Sequence, residues 1–158
     1  MNRFIWTAAS LMTFTLIWSA CSKHNSGSNN NNNNSNMTLM TQGVWKYDTS
    51  GFDLTGDNKI DYPDTLIQPC IKDNTYQFKM DSTVVVDQGA TKCNNSDPQT
   101  ATYSWSISNS TPPILRSNAD SILTGGVTVS VLTSTQLQMY KDTSILGISV
   151  RYVLSLKH

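Results

Sequence analysis

The stretch Ile148-Ser149-Val150-Arg151-Tyr152-Val153-Leu154-Ser155-Leu156-Lys157 decides the fold. Its apolar side chains at Ile148, Val150, Tyr152, Leu154 and Leu156 alternate with Ser149, Arg151, Val153, Ser155 and Lys157, a period of two that puts one apolar row on one face of a strand. The run is long enough to curl around a barrel. Working outward, Tyr103, Trp105 and Ile107 share a face opposite Thr102, Ser104, Ser106 and Ser108. The pattern repeats as Tyr76/Phe78/Met80 against Thr75/Gln77/Lys79, as Val127/Val129/Val131, and as Leu137/Met139. With Val44 to Tyr47, Val84 to Asp87 and Ile114 to Arg116, about eight strands follow one another, separated by turn signals such as Met80-Asp81-Ser82, Gly125-Gly126 and Ser134-Thr135. No helical period of comparable length intervenes. Sequential hairpins with one apolar face each close most simply as a small antiparallel up-and-down barrel, which leaves no open edge; a two-sheet sandwich is the alternative.

Composition points the same way. Ser, Thr and Asn supply 54 of 158 residues, glutamate is absent and there are six alanines, so strong helix formers have given way to residues of strands and turns. All eleven acids are Asp, and they equal the eleven Lys and Arg, so no positive field gathers a nucleic-acid backbone. After residue 38 the one histidine is His158, which excludes Ser-His-Asp and Cys-His catalysis and most metal sites. Only a carboxylate pair would be left for an enzyme, so none is expected.

The first forty residues read as an address and a tether. Arg3 precedes an apolar run from Phe4 to Trp18, too short to cross a bilayer comfortably and laid out as a secretory signal. It ends at Ser19-Ala20-Cys21, which resembles the lipobox of bacterial lipoproteins, in which the signal is cut before a cysteine that is then acylated. Trp18 departs from the aliphatic residue usual at its position, and an ordinary signal peptide is the competing reading. Residues 1–20 are thus expected to be removed and residues 21–38 to form a lipidated cysteine and flexible linker, with asparagine from Asn29 to Asn34 and nothing to bury. Acyl chains on Cys21 would hold residues 39–158, the barrel domain, in a bacterial envelope membrane, the outer membrane being the expected one. Loss of Arg3 leaves ten cations against eleven Asp, a charge of −1.

In such an exported domain Cys70 and Cys93 are expected to form a disulfide that encloses the Tyr76 to Asp87 hairpin, since no histidine is placed to activate either thiol.

Gly43-Val44-Trp45, the stretch Cys70-Ile71-Lys72-Asp73-Asn74-Thr75-Tyr76-Gln77-Phe78, the stretch Gly89-Ala90-Thr91-Lys92-Cys93 and the strand Tyr103-Ser104-Trp105 together resemble the lipocalin-like domain of small bacterial envelope lipoproteins, over about residues 39–158. The resemblance implies a compact eight-stranded barrel behind a lipidated linker, a fold that the alternation reaches independently.

The segment between the first two strands carries its own chemistry. Asp53-Leu54-Thr55-Gly56-Asp57-Asn58-Lys59-Ile60-Asp61-Tyr62-Pro63-Asp64 matches the calcium loop of EF-hands and dockerins. Asp53, Thr55, Asp57, Asp61, Asp64 and the Lys59 carbonyl would supply the oxygens for Ca²⁺, and Ile60 would pin the loop to a neighbouring element. Thr55 replaces the usual acid or amide, Asn58 the turn glycine and Asp64 the longer Glu, each of which weakens a site. A plain acidic surface loop is the alternative.

Two functions are compatible with these features. A small apolar ligand could enter the barrel, with Trp45, Tyr47, Tyr76, Phe78, Tyr103, Trp105, Met139 and Tyr152 as the inward candidates. Alternatively these aromatics fill the barrel, and the protein is a structural or interaction module presented to another envelope protein or a glycan. The volume left inside the barrel discriminates between the two.

Overall fold

A computed structural model describes residues 30–120 and 122–158; the signal segment, Cys21 and the first part of the linker lie outside them. The described residues form an antiparallel sheet of nine strands: β1 (Trp45–Asp53), β2 (Tyr62–Pro63), β3 (Thr75–Phe78), β4 (Thr83–Asp87), β5 (Thr100–Ile107), β6 (Ile114–Ser117), β7 (Val127–Leu132), β8 (Gln136–Ile145) and β9 (Ile148–Lys157). From β3 to β9 each strand pairs with the next, and β9 pairs with β1 from Lys46↔Lys157 to Asp53↔Arg151. That last pairing, with β1–β3 at Trp45↔Tyr76, closes the sheet into an up-and-down barrel of eight strands, and the sandwich alternative falls. The two-residue β2 is additional, held beside β1 through Gly51↔Pro63 and Phe52↔Tyr62.

Antiparallel partners share a face, so the register shows which side chains enter the barrel. Leu154 and Leu156 line the interior and set the inward row of their neighbours: Ser50 and Tyr47 on β1, Met139 and Leu137 on β8. Two bulges change the alternation. In β1, Asp48 is an extra residue between Tyr47↔Leu156 and Thr49↔Ser155, so that Trp45, Tyr47, Ser50 and Phe52 all face inward. In β7 the register shifts between Val129 and Val131, turning Val131 to the outer row beside Gln138 and bringing Leu132 inward opposite Leu137. The strict alternation expected for Val127, Val129 and Val131 therefore ends at Ser130. Met80, expected on the inner row of β3, lies beyond the strand and is exposed.

One end of the barrel is plugged by helix α1 (Asn30–Thr41), which begins inside the stretch read as linker. It packs against β3, β5 and β7, with Met40 fully buried and Met37 against the core. The Met40 carbonyl accepts a hydrogen bond from Trp45 Nε1 at 2.9 Å, which satisfies the one polar atom of a wholly buried indole. At the opposite end, the connection between β6 and β7 places Leu123 in the core. Between the ends, Phe78 and Trp105 meet edge to face at 5.0 Å.

Candidate functional site

The barrel interior is full. The cavity among Tyr76, Phe78, Asp120, Leu123, Met139, Leu154 and Leu156 amounts to about 10 Å³, about the minimum for a single water. Of the eight inward candidates, Trp45, Phe78, Trp105, Met139 and Tyr76 are buried core residues, and Tyr103 packs against them. Tyr47 is half-buried, its hydroxyl 3.0 Å from Ser50 Oγ and the Lys72 ammonium 5.9 Å from its ring. Tyr152 alone of the eight borders a larger space.

That space is an open cavity of about 510 Å³ at the end away from α1. One wall is the segment after β2, with Leu66, Ile67, Gln68 and Ile71. Pro69 starts the short helix α2 (Pro69–Lys72) at a position where its missing N–H costs nothing. The disulfide between Cys70 and Cys93, with Cα atoms 5.1 Å apart, ties this wall to the β4–β5 connection. A second tie is the Thr91 N–H, which donates to Asp73 Oδ2 at 2.8 Å just after α2. The opposite wall is Asp120 and Ile122 from the β6–β7 connection, and the floor is Lys141, Thr143 and Tyr152 from β8 and β9.

The polar groups of this mouth are held in place. The Tyr152 hydroxyl donates to Asp64 Oδ2 at 2.9 Å, and the Leu66 N–H donates to Asp64 Oδ1 at 2.9 Å. Burial, with the adjoining Asp64 carboxylate, pushes the Tyr152 phenol up to about 12. Asp120 Oδ1 accepts from the Ile122 N–H at 2.8 Å and its Oδ2 from Tyr76, whose phenol is raised by burial and then by the Asp120 charge. Lys141 Nζ donates to the Thr124 carbonyl at 2.9 Å. The result is four aliphatic side chains on two walls, with two carboxylates and one ammonium at fixed positions. This combination suits a molecule with an apolar body and a polar end.

The twelve-residue acidic segment does something different from what its spacing suggests. It folds over the outside of β1, where Gly51 is required: a Cβ there would collide with the Tyr62 carbonyl and with Ile60 Cγ2. Ile60 thus pins the loop as expected. Asp53, 1% exposed, accepts backbone N–H bonds from Thr55, Gly56 and Asn58 at 2.9, 2.6 and 2.7 Å. Burial raises its carboxyl, but these donors and the Thr55 hydroxyl outweigh it and hold the group below the ordinary carboxylate value. Asn58 takes the left-handed turn position with φ 64°. Asp57 pairs with Lys59 at 3.0 Å, and Asp61 Oδ2 accepts the Leu54 N–H at 2.8 Å. Arg151 Nη1 ties the loop to the barrel through Asn58 Oδ1 at 2.9 Å, with its guanidinium 3.8 Å from the Tyr140 ring centre.

The proposed calcium set is therefore divided. Asp64 lies at the mouth on Tyr152, while Asp53, Thr55, Asp57, Lys59 and Asp61 remain in the outer loop, and among the described residues no three acidic, His or Cys side chains are grouped to hold a metal. As arranged, these groups do not fit the cage of six to eight oxygens that Ca²⁺ requires.

Sequence reasoning did not single out Leu66, Ile67, Ile71, Asp120, Ile122 or Lys141. The available signals were the apolar pairs Leu66-Ile67 and Ile122-Leu123, each inside a turn-rich connection. The chain matches no protein-family model, and no curated protein sequence matches it.

Proposed function

We propose that this protein is a lipid-anchored protein of the bacterial envelope whose barrel end binds a small amphipathic or apolar molecule. The observation that supports it is the 510 Å³ cavity, walled by Leu66, Ile67, Ile71 and Ile122 and set on a rigid, filled barrel. The ligand site is then the mouth and not the interior. Binding, without chemistry, is the reading favoured here: Asp64 and Asp120 are committed to N–H and O–H donors that fix the walls, and His158 lies against Trp45 at the far end. Anchoring rests on Ser19-Ala20-Cys21 and on the resemblance to envelope lipoproteins.

An environment-sensitive naphthalene sulfonate fluorophore tests the mouth. It should bind the folded protein with saturable fluorescence, and Ile122→Asp should weaken it about tenfold or more by placing an unpaired charge against the apolar wall. Equal affinity in the variant removes the mouth as the site. Mass spectrometry tests the anchor: the mature N-terminus should be an acylated Cys21, and any other N-terminus excludes it.

The filled interior favours a second reading, a structural or interaction module with no small ligand. Under it the fluorophore finds no saturable site in the parent protein.

A further inference from the structure

The hairpin of β8 and β9 outgrows the barrel. β7 accompanies β8 only to Tyr140, and β1 accompanies β9 only to Arg151, whereas β8 and β9 pair with each other out to Ile145↔Ile148. Residues 142–149 are all exposed, a ribbon that starts at Thr143 in the cavity lining and extends past the last residues paired to β7 and β1. Ile145 and Ile148 sit on the face that continues upward from Thr143 and Tyr152 at the mouth. Among the described residues, half of the large apolar side chains left exposed are on the ribbon or beside the mouth, the two most exposed included: Ile145 44%, Leu146 98%, Ile148 67% and Leu66 88%.

The turn residue itself breaks two local rules. Leu146 and Gly147 have φ of 51° and 81°, the two-residue hairpin turn in which Asn or Gly is favoured at the first position. A leucine there accepts left-handed backbone strain and full exposure together. Nothing in the barrel gains from it. Local rules broken without a folding benefit mark functional positions.

We infer that the Ile145–Ile148 tip inserts into a lipid bilayer, with the cavity mouth facing the membrane surface. Shape and charge select lipid over a protein partner. A specific protein interface needs on the order of 800 Å² from each side, more than a narrow tip of three side chains can present, whereas a bilayer accepts a small apolar wedge. No charged residue occurs from Thr143 to Ser149, and the first charges below, Asp142 and Arg151, pair with each other at 2.8 Å. The hydroxyls of Thr143, Ser144 and Ser149 would meet the headgroups. The inference goes beyond the mouth-binding proposal and does not depend on acylation of Cys21.

Residues 30–158 contain every described element and bury a core of their own, so this fragment is the test protein. It should float with vesicles of phosphatidylcholine and phosphatidylethanolamine, to the same degree when phosphatidylglycerol is added or salt is raised. Leu146→Asn should reduce the partition coefficient about tenfold while leaving the melting temperature equal or higher, because Asn suits the turn better. Leu146→Trp should show a blue-shifted emission only with vesicles, against a background of Trp45 and Trp105, which are already buried. Absence of flotation, an unaltered partition for Leu146→Asn, or a Leu146→Trp emission indifferent to vesicles overturns the inference. So does gel filtration in which Leu146→Asn converts a dimer to a monomer, which would make the tip a contact between copies. The fluorophore titration without vesicles keeps the two proposals apart: retained probe binding with lost flotation defeats only the membrane inference.

Discussion

Gly51→Ala isolates the contact that folds the acidic loop onto the barrel. The added Cβ would collide with the Tyr62 carbonyl, lie 2.5 Å from Ile60 Cγ2 and lie 2.9 Å from Pro63 Cα. Two of these three atoms are backbone and cannot rotate away. Gly51 is not in the left-handed region, so alanine is permitted by its backbone and would otherwise stabilise by about 0.4–1 kcal/mol through the unfolded chain. Against this, overpacking costs about 1–3 kcal/mol. If β2 peels away, the bonds from the Asp61 N–H to the Phe52 carbonyl and from the Asp64 N–H to the Ser50 carbonyl, each 2.9 Å, are lost at about 1 kcal/mol apiece. A net loss of about 2 kcal/mol is expected, which for a domain of this size lowers the melting temperature by roughly 6–10 °C in a circular-dichroism melt. Gly56→Ala is the control: that site has φ 81° with nothing within 4 Å, so only a backbone cost of about 1 kcal/mol applies. A Gly51→Ala melt that is unchanged, raised, or no lower than that of Gly56→Ala would refute the packing of the loop on β1.

Reducing the Cys70–Cys93 bond, which spans 23 residues, should cost about 3 kcal/mol by chain entropy, lower the melting temperature by about 10 °C, and weaken fluorophore binding by freeing the α2 wall. Melts and titrations with and without reductant check this, and identical curves contradict it. Asp53 has a folded-state value below its unfolded one, so its stabilisation is complete above the unfolded value of about 3.9 and is lost as pH falls through the folded value. Asp53→Asn should accordingly be less stable at neutral pH and show a flatter decline below about pH 4; a parallel decline in both proteins would exclude the role. For calcium, the division of Asp64 from the outer loop leads us to expect the same melting temperature in chelator and in millimolar calcium. A rise of several degrees would mean that Asp64 leaves Tyr152 to complete a cage.

The order of the strands was legible because each hairpin carries its alternation on consecutive residues; the Tyr103 to Ile107 row keeps the expected phase, and the Ile148 to Leu156 row keeps it in its pairing with β8, although Val153 and Ser155 on the other face are buried too. β1 was visible only over its first residues. Its continuation, Asp48-Thr49-Ser50-Gly51, has no apolar row because a bulge interrupts the phase and the outer face is covered by a loop that demands glycine. Helix α1 was hidden by its asparagines, which favour turns and caps; the contacts of Met37 and Met40 with the barrel end override that local preference. The mouth was obscure for a different reason. It is assembled from two connections and two strands, so no single window contains it, and Asp64 looked like the last member of an acidic series although β2 carries it to the inner face.

The extra residue in β1 makes the length of that strand negotiable at one place. Removing Asp48 would join Tyr47 directly to Thr49, leaving inward and outward neighbours in regular succession, and would sacrifice only the surface pair with Lys157 at 2.7 Å. Removing a residue further from the bulge, such as Phe52, would instead turn the residues between the cut and the bulge to the opposite face. The strand therefore tolerates a shortening by one only where it is already out of step, and homologous chains aligned through this region should place their gaps there.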